Sequence, residues 1–257
     1  MTRSTSTSRS ARSTRTPTPA RTPAPAPTPA SAFAGFADSE GRFFKALAKK
    51  NDRAWFASHK AEFEAGWNAP MKALLEELRV AIDAAYERVD LGPPKVFRIF
   101  RDTRFSKDKA PYKTHVGGYI PIERAGKNAM DLPMALYVQV GAKETFAAAG
   151  HYMMEKESLA RFRNAVADDA RGKELAALLR GLAKKGFVEH VAERNKRVPP
   201  GFPPDHPRAE LLKSKGLTVM FPALPKELLT SRKLVPWLVK ACKTTAPLVD
   251  WLALATA

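Results

Sequence analysis

The sequence predicts an α+β fold, in which helices from both ends of the chain cover an antiparallel sheet of about four to five strands. Apolar residues recur at helical spacing before residue 92 and after residue 158. Between residues 96 and 154, apolar and polar residues alternate instead, which is typical of half-buried strands. The segments with this alternation are joined by short connections, which favour antiparallel pairing. Helices followed by strands and then by helices are typical of α+β domains.

The composition predicts one folded domain preceded by a tail. The chain has 257 residues, of which 44% are hydrophobic, enough for one full core. Residues 1–32 contain five Arg, six Pro and fourteen Ser or Thr, and no acidic residue. Such a segment cannot bury an apolar core, so we expect a disordered tail over 1–32 and a single α+β domain over 33–257.

The charge and the cysteine content limit the classes of function. A formal net charge of +17 favours polyanionic partners such as nucleic acid, anionic lipid or phosphorylated metabolites. The single cysteine, Cys242, excludes an internal disulfide and a multi-cysteine metal site, and it fits a cytoplasmic location. It lies in an apolar helical pattern, so we expect a buried thiol. No apolar run approaches the roughly 18 residues of a membrane-spanning helix, so no membrane partner is expected.

Three helices are predicted before the Gly92-Pro93-Pro94 break. The first ends near Asn51, Asn51 or Asp52 caps the second, and Pro70 lies in the first turn of the third. Their predicted buried faces comprise Phe43, Phe44 and Leu47; Trp55, Phe56, His59 and Phe63; and Met71, Leu74, Leu75, Leu78, Ile82 and Ala85.

Four strands are predicted, over residues 96–102, 114–122, 135–140 and 145–154. The alternation assigns side chains to two faces of the sheet. Core positions are predicted for Phe97, Ile99, Val116, Ile120, Ile122, Leu136, Val138 and Val140. The opposite face is predicted to carry Arg98, Phe100, Asp102, His115, Gly117, Tyr119, Tyr137 and Gln139.

The C-terminal part is predicted to be helical around one irregular loop. Ser158 is expected to cap a helix, and Gly186 to end the next one. Prolines forbid regular structure over 199–207, and the basic segment 194–215 could form a second wall of a basic groove. Two closing helices are expected, started by Pro236 and Pro247.

The stretch 96–122 carries the densest chemistry. Between Lys95 and His115 there are seven Lys or Arg and two Asp, which gives 7 − 2 = +5. Guanidinium groups match phosphate geometry, so these residues predict an anion or phosphate site. The candidate ligands are Arg98, Arg101, Arg104, Ser106, Lys107, Lys109, Tyr112, Lys113 and His115. Alternatively, Asp102 and Asp108 pair with neighbouring cations and only fix the loop.

Two further functions remain open from the sequence. Phe97, Phe100, Phe105, Tyr112 and Tyr119 could stack nucleic-acid bases while Lys and Arg contact the backbone, unless these rings lie in the core.

An enzyme acting on an anionic small molecule would use His115 as acid or base, oriented by Asp102 or Asp108, with Arg98 or Lys109 holding the substrate. The five histidines share no metal-ligand spacing, and no phosphate-binding or dinucleotide glycine motif is present, so we expect neither a metal nor another cofactor.

Four motifs resemble the family called domain of unknown function 2461. They are NDRAWF (51–56), FRIFRDTRFSKDKAPYKTH (97–115), Gly150-His151-Tyr152 and PPGFPPDHP (199–207). The resemblance covers nearly all of residues 33–257 and implies a single α+β domain, with no established activity, cofactor or catalytic residue. This chain departs from the family at Asp52, where a second Asn is usual, and at Pro200, where a basic residue often stands.

Overall fold

The computed structural model describes residues 32–123 and 134–256. The predicted tail therefore lies outside the described residues, apart from residue 32. The described chain forms an antiparallel sheet with helices before and after it in sequence, which confirms the predicted α+β fold. The sheet has seven strands rather than four to five, because short strands at its two edges extend it.

Three helices precede the sheet: α1 Arg42–Lys49, α2 Arg53–Phe63 and α3 Ala69–Ile82. A π-helical turn, Glu64–Asn68, joins α2 to α3, and a 3-10 turn, Asp83–Ala85, follows α3. Asp52 caps α2, because its side chain accepts a hydrogen bond from Trp55 N at 2.8 Å. All three predicted N-terminal helices are thus confirmed.

The strands are β1 Asp90–Leu91, β2 Lys95–Val96, β3 His115–Glu123, β4 Met134–Gly141, β5 Phe146–His151, β6 Val188–His190 and β7 Leu217–Met220. Their order is β1-β3-β4-β5-β7-β6, and β2 also pairs with β3. Every pair is antiparallel. The central strands β3, β4 and β5 confirm the predicted segments.

Helices α4 Lys156–Ala167, α5 Asp169–Ala183, α6 Ala209–Lys213 and α7 Leu234–Ala255 follow β5, together with a 3-10 turn at Lys226–Leu228. The core lies between the sheet and the helical layer, where α3 contacts β3 and α7 contacts β4 and β5. The hydroxyl of Tyr86 donates to the carbonyl of Cys242 at 2.8 Å and ties the end of α3 to α7. The Cys242 side chain is buried, as predicted.

Two predictions about the C-terminal part are wrong, and three short elements were not predicted. Pro247 lies inside one continuous helix, α7, rather than starting a second one. Proline has no amide hydrogen, so the carbonyl of Lys243, four residues earlier, has no helical partner. Both residues are exposed, so water can hydrogen-bond to that carbonyl. Ser158 is buried inside α4, and Glu155 precedes that helix. The edge strand β6, its neighbour β7 and the short α6 were not predicted, because runs of three to five residues show little periodicity.

The first predicted strand is shorter than expected. Regular pairing in β2 ends at Val96, and the chain keeps only single contacts with the strand opposite, such as Phe97 N to Gly117 O and Lys113 N to Ile99 O. The strict two-residue alternation is therefore lost. Ile99 is buried as predicted, but Phe97 is 45% exposed, so the prediction that Phe97 belongs to the core is wrong.

Within the described ranges, no helix is both long and apolar enough to span a bilayer.

Candidate functional site

The candidate site lies on the face of the sheet that points away from α3 and α7, here called the open face. Val116, Ile120 and Leu136 point into the helical layer and are buried. Alternate residues of the same strands point the other way and are mostly half-buried, as in the alternating burial of β4. The open face carries His115, Gly117, Tyr119, Tyr137, Gln139, Phe146, Ala148, Gly150, Thr218, Met220, Val188 and His190.

Four aromatic rings form a continuous row over one end of the open face. We call them the aromatic shelf: Phe97, Tyr119, Tyr137 and Phe146. The ring centroid of Phe97 lies 5.2 Å from that of Tyr119 and 6.3 Å from that of Tyr137. The rings of Tyr137 and Phe146 are 5.6 Å apart. These separations are within the normal range of aromatic contacts, so the shelf is a packed surface rather than a set of separate rings.

Gly117 allows the shelf to lie close to the sheet. A Cβ atom at Gly117 would stand 2.7 Å from the hydroxyl of Tyr137, which lies over the glycine. That hydroxyl donates to Gln139 Oε1 at 2.8 Å and is held in this position. Burial, with a smaller effect from Tyr152, raises the pKa of Tyr137 to about 12. Tyr137 is therefore a neutral hydrogen-bonding group at neutral pH.

Arg98, Lys113 and His115 form a cluster beside the shelf, here called the cation cluster after its two charged side chains, Arg98 and Lys113. The Lys113 ammonium lies over the Phe97 ring, 5.0 Å from its centroid, and donates to the carbonyl of Arg98 at 3.1 Å. The Arg98 side chain is exposed and forms no ion pair within 32–123 and 134–256. His115 is half-buried at the start of β3. All three residues of this cluster were predicted site residues.

The charges in the cluster repel one another. Burial, followed by the charge of Arg98, lowers the pKa of Lys113 below its usual value of 10.5. Burial, followed by the charge of Lys113, lowers the pKa of His115 below 6.5, with a smaller opposing effect of Glu144. The imidazole is therefore neutral at neutral pH, and it can either donate or accept a hydrogen bond.

Two of the predicted ligands already hold acidic partners. Arg101 Nη1 lies 2.5 Å from Asp108 Oδ2, and Arg104 binds both oxygens of Asp102, at 3.0 and 2.7 Å. Arg104 holds the pKa of Asp102 below its usual range. A hydrogen bond from the Ala110 amide, and to a smaller extent one from Arg101, lowers the pKa of Asp108 in the same way. These pairs hold the loop in shape, as the alternative interpretation of the sequence proposed for them.

The remaining cations of the stretch form no ion pair with any residue that the structure describes. Lys109 Nζ donates to the carbonyl of Thr103 at 3.0 Å, which orders the side chain but leaves its charge in place. Lys95, Arg98 and Lys107 are exposed and form no ion pair in the described part of the chain. Five of the seven cations, the three just named with Lys109 and Lys113, thus remain available to an anion.

Tyr112 and Ser106 contribute differently from the predicted cations. The Tyr112 ring is buried and stacks on Phe56 with centroids 4.3 Å apart, so it anchors the loop to α2. Ser106 is half-buried, and its backbone amide donates to Thr103 O at 3.3 Å. Phe105 is 95% exposed at the tip of the loop, beside the Arg104 guanidinium.

The carboxylates expected to orient His115 bind elsewhere. Asp102 binds Arg104 and Asp108 binds Arg101, and neither is hydrogen-bonded to the imidazole. Four basic residues of segment 194–215 have partners outside the cluster: Arg194, Arg208, Lys213 and Lys215. Arg194 pairs with Glu189 and Glu210, and Arg208 donates to the carbonyls of 166, 167 and 168 at the end of α4.

Sequence reasoning missed three residues of the open face. Tyr152 is 55% exposed just beyond β5, and its ring is nearly parallel to that of His190, at 6.4 Å and 16°. Val188, on the edge strand β6, is also exposed. The aromatic residue that follows Gly150-His151 was a usable signal, but β6 is too short for its face to be predicted.

Two concave surfaces, of about 710 and 330 Å³, lie beside α5 and α7 on the opposite side of the helical layer. Lys185, Lys240 and Lys243 line the larger one, and none of the predicted site residues does. Among the described residues, no three His, Cys, Asp or Glu side chains lie close enough together to hold a metal ion.

The fold and the site together define an α+β protein with an antiparallel sheet covered by helices on one face and carrying aromatic and cationic groups on the other. The chain belongs to the family described as "Conserved hypothetical protein (DUF2461)", whose model matches residues 41–251. The resemblance inferred from the four motifs is therefore confirmed. Comparison with curated proteins gave no match. Of the two departures from the family pattern, Asp52 serves as a helix cap, and Pro200 lies in a turn beside Gly201, whose φ is +92°.

Proposed function

We propose that the protein binds a phosphate-bearing ligand on the open face, with the phosphate at the cation cluster and a planar ring of the ligand on the aromatic shelf. One observation carries the proposal. The ammonium of Lys113 lies over the exposed ring of Phe97, 5.0 Å from its centroid, and forms no ion pair with any described residue. A nucleotide-like molecule combines the two groups that this arrangement can bind.

The electrostatics of the cluster support an anionic ligand. Arg98 and Lys113 are close enough for the charge of Arg98 to lower the pKa of Lys113. A phosphate between them would relieve this repulsion and accept charge-assisted hydrogen bonds from both side chains. His115 lies next to Lys113 and can donate a further hydrogen bond.

The shelf supports a planar, apolar part of the ligand. Water covers nearly half of the Phe97 side chain although Tyr119 and Tyr137 pack beside it. Stacking a flat ring on the part of Phe97 that Lys113 leaves open would remove this apolar surface from water. The proposal includes a cytoplasmic location, which is supported by the free cysteine Cys242.

The test is isothermal titration with adenosine monophosphate, with adenosine and inorganic phosphate as its two halves. Wild-type protein should bind the nucleotide more tightly than either half. Each of the variants Arg98→Gln and Lys113→Met should bind it about tenfold more weakly, since each removes one charge-assisted contact. The control variant Lys184→Gln removes an exposed charge at the C-terminal end of α5 and should bind the nucleotide like wild type. The absence of binding, or equal binding by all variants, would overturn the proposal.

An independent readout comes from His115 itself. A bound phosphate favours the charged imidazole, so the pKa of His115, followed by NMR, should rise when adenosine monophosphate is added. Adenosine alone should leave it unchanged. An unchanged His115 pKa in the presence of bound nucleotide would place the phosphate elsewhere.

A further inference from the structure

We infer that the ligand is a single-stranded nucleic acid, whose bases run across the open face from the aromatic shelf to Tyr152. This inference rests on the proposed function and extends it. The shelf and the cation cluster would bind one nucleotide, and the rest of the open face would bind its neighbours along the strand.

The register of the strands creates a path across the sheet. Tyr119 pairs with Tyr137, Tyr137 with Ala148, Ala148 with Met220 and Met220 with Val188. Neighbouring strands lie about 4.8 Å apart, so the four steps of this row cover about 19 Å. This distance is several times the thickness of a stacked base. The open face is therefore larger than one mononucleotide requires.

The path has aromatic groups at both ends and small residues between them. Phe97 and Tyr119 stand at the β2 edge, and Tyr152 with the parallel ring of His190 stands near β6. Between them lie Ala148 and Gly150, which have small side chains or none and are buried beneath their neighbours. Exposed rings on the face of an antiparallel sheet are a common platform for unpaired bases, because every base has a flat face to stack.

The unpaired cations lie along one side of this path. Lys95 pairs in register with Tyr119, and Arg98, Lys107, Lys109 and Lys113 follow in the loop beside the shelf. A row of cations next to stacking rings fits a strand whose phosphates point towards the loop while its bases lie on the sheet. A duplex would offer its phosphates but would keep the faces of its bases inside the stack, away from the rings.

Tyr152 provides a test that separates this inference from the proposed function. It lies beyond β5, whereas the cation cluster lies at β2 and the start of β3. Tyr152→Ala should weaken the binding of an oligonucleotide about tenfold and should change the binding of a mononucleotide far less. Tyr152→Phe keeps the ring and serves as the matched control. Because Tyr152 is exposed, both variants should unfold at the wild-type temperature.

The experiment measures fluorescence anisotropy with labelled oligothymidylates of increasing length, the corresponding duplex, and thymidine monophosphate as competitor. The full chain is used throughout, so the N-terminal residues are the same in all variants. The affinity should rise as the strand lengthens from one to several nucleotides, and the single strand should bind more tightly than the duplex. The logarithm of the affinity should fall linearly with the logarithm of the salt concentration. Arg98→Gln should reduce the salt slope by about one unit.

The possible results separate single-stranded nucleic-acid binding from the proposed binding of one phosphate-bearing ligand. If the mononucleotide binds through Arg98 and Lys113 but longer strands bind no more tightly, this inference is wrong and the proposed function stands. The inference is also wrong if Tyr152→Ala binds oligonucleotides like wild type, or if the duplex binds as well as the single strand. If neither the mononucleotide nor the oligonucleotides bind, both are wrong.

Discussion

The side-chain amide of Asn51 pairs with both polar backbone groups of Tyr112. Its Nδ2 donates to Tyr112 O at 3.0 Å, and its Oδ1 accepts from Tyr112 N at 3.0 Å. Asn51 immediately precedes Asp52, the cap of α2, so the start of this helix holds the end of the basic loop. The buried ring of Tyr112 then stacks on Phe56 of the same helix. The position of Lys113 and His115 therefore depends on a contact made 61 residues earlier in the chain.

Asn51→Ala should destabilise the protein and loosen the loop. The substitution leaves a half-buried amide and carbonyl without partners, which costs about 1–3 kcal/mol. Urea unfolding measures the loss, and limited proteolysis should show faster cleavage within 103–111. Asn68→Ala is the matched control, since its amide binds only the exposed Glu64 side chain. Equal stability of the two variants would show that the Asn51 contact does not hold the loop.

Gly117→Ala should weaken ligand binding with little loss of stability. The added methyl meets the Tyr137 hydroxyl, the far end of a side chain that can move, so the shelf shifts while the backbone stays in place. The affinity for adenosine monophosphate should fall about fivefold, which corresponds to the loss of roughly 1 kcal/mol of stacking energy.

Gly118→Ala, one residue further along β3, should show the opposite pattern. Its methyl would stand 2.9 Å from the backbone carbonyl of Lys95 and 2.6 Å from Leu75 Cδ1. The expected cost is about 1–3 kcal/mol of stability from overpacking, measured by urea unfolding. A stable Gly118→Ala protein, or unchanged nucleotide binding by Gly117→Ala, would contradict this assignment of the two faces.

The pKa of His115 makes stability depend on pH. Because its folded pKa lies below its unfolded value near 6.5, the unfolded chain binds more protons between these two values. The resulting decrease in the free energy of unfolding is absent above about pH 6.5 and grows as the pH falls towards the folded pKa. His115→Gln should remove this part of the pH dependence, as measured by the difference in unfolding free energy from wild type between pH 5 and 8.

Lys113→Met should raise the pKa of His115 by removing the neighbouring charge, as followed by NMR. Lys109→Met is the control, because Lys109 binds the carbonyl of Thr103 instead. A His115 pKa that stays the same in the Lys113 variant would show that burial alone lowers it.

Pro247→Ala should stabilise α7. The substitution supplies an amide for the free carbonyl of Lys243 and removes the clash of the ring, worth about 3 kcal/mol in a helix interior. Greater chain freedom in the unfolded state offsets about 1 kcal/mol of this gain, which leaves about 2 kcal/mol in thermal or urea unfolding.

Pro236→Ala is the matched control within the same helix. Pro236 lies in the first turn of α7, where an amide has no helical partner, so its removal should change stability little. A gain for Pro236→Ala as large as for Pro247→Ala would show that the continuity of α7 does not cause the effect.

Much of the fold is predictable from sequence because helices α1 to α3 and strands β3 to β5 are long enough to show their own periodicity. The same alternation correctly separates Val116 and Ile120 from His115 and Tyr119. It fails at Phe97, because regular pairing ends at Val96 and the two-residue repeat ends with it. It also misses β6, which has only three residues, all of them exposed.

The candidate site required the tertiary structure for a different reason. The sequence by itself determined that a cationic loop with interleaved aromatic residues adjoins a strand that begins with His115. It left open which cations the two aspartates neutralise, because that depends on distances across the folded loop. Only the tertiary structure decided that Arg101 and Arg104 hold Asp108 and Asp102, and that Arg98 and Lys113 do not. It also decided that Phe97, Tyr119 and Tyr137, from three separate segments of the chain, form one surface, because strand pairing brings together residues that are distant in sequence.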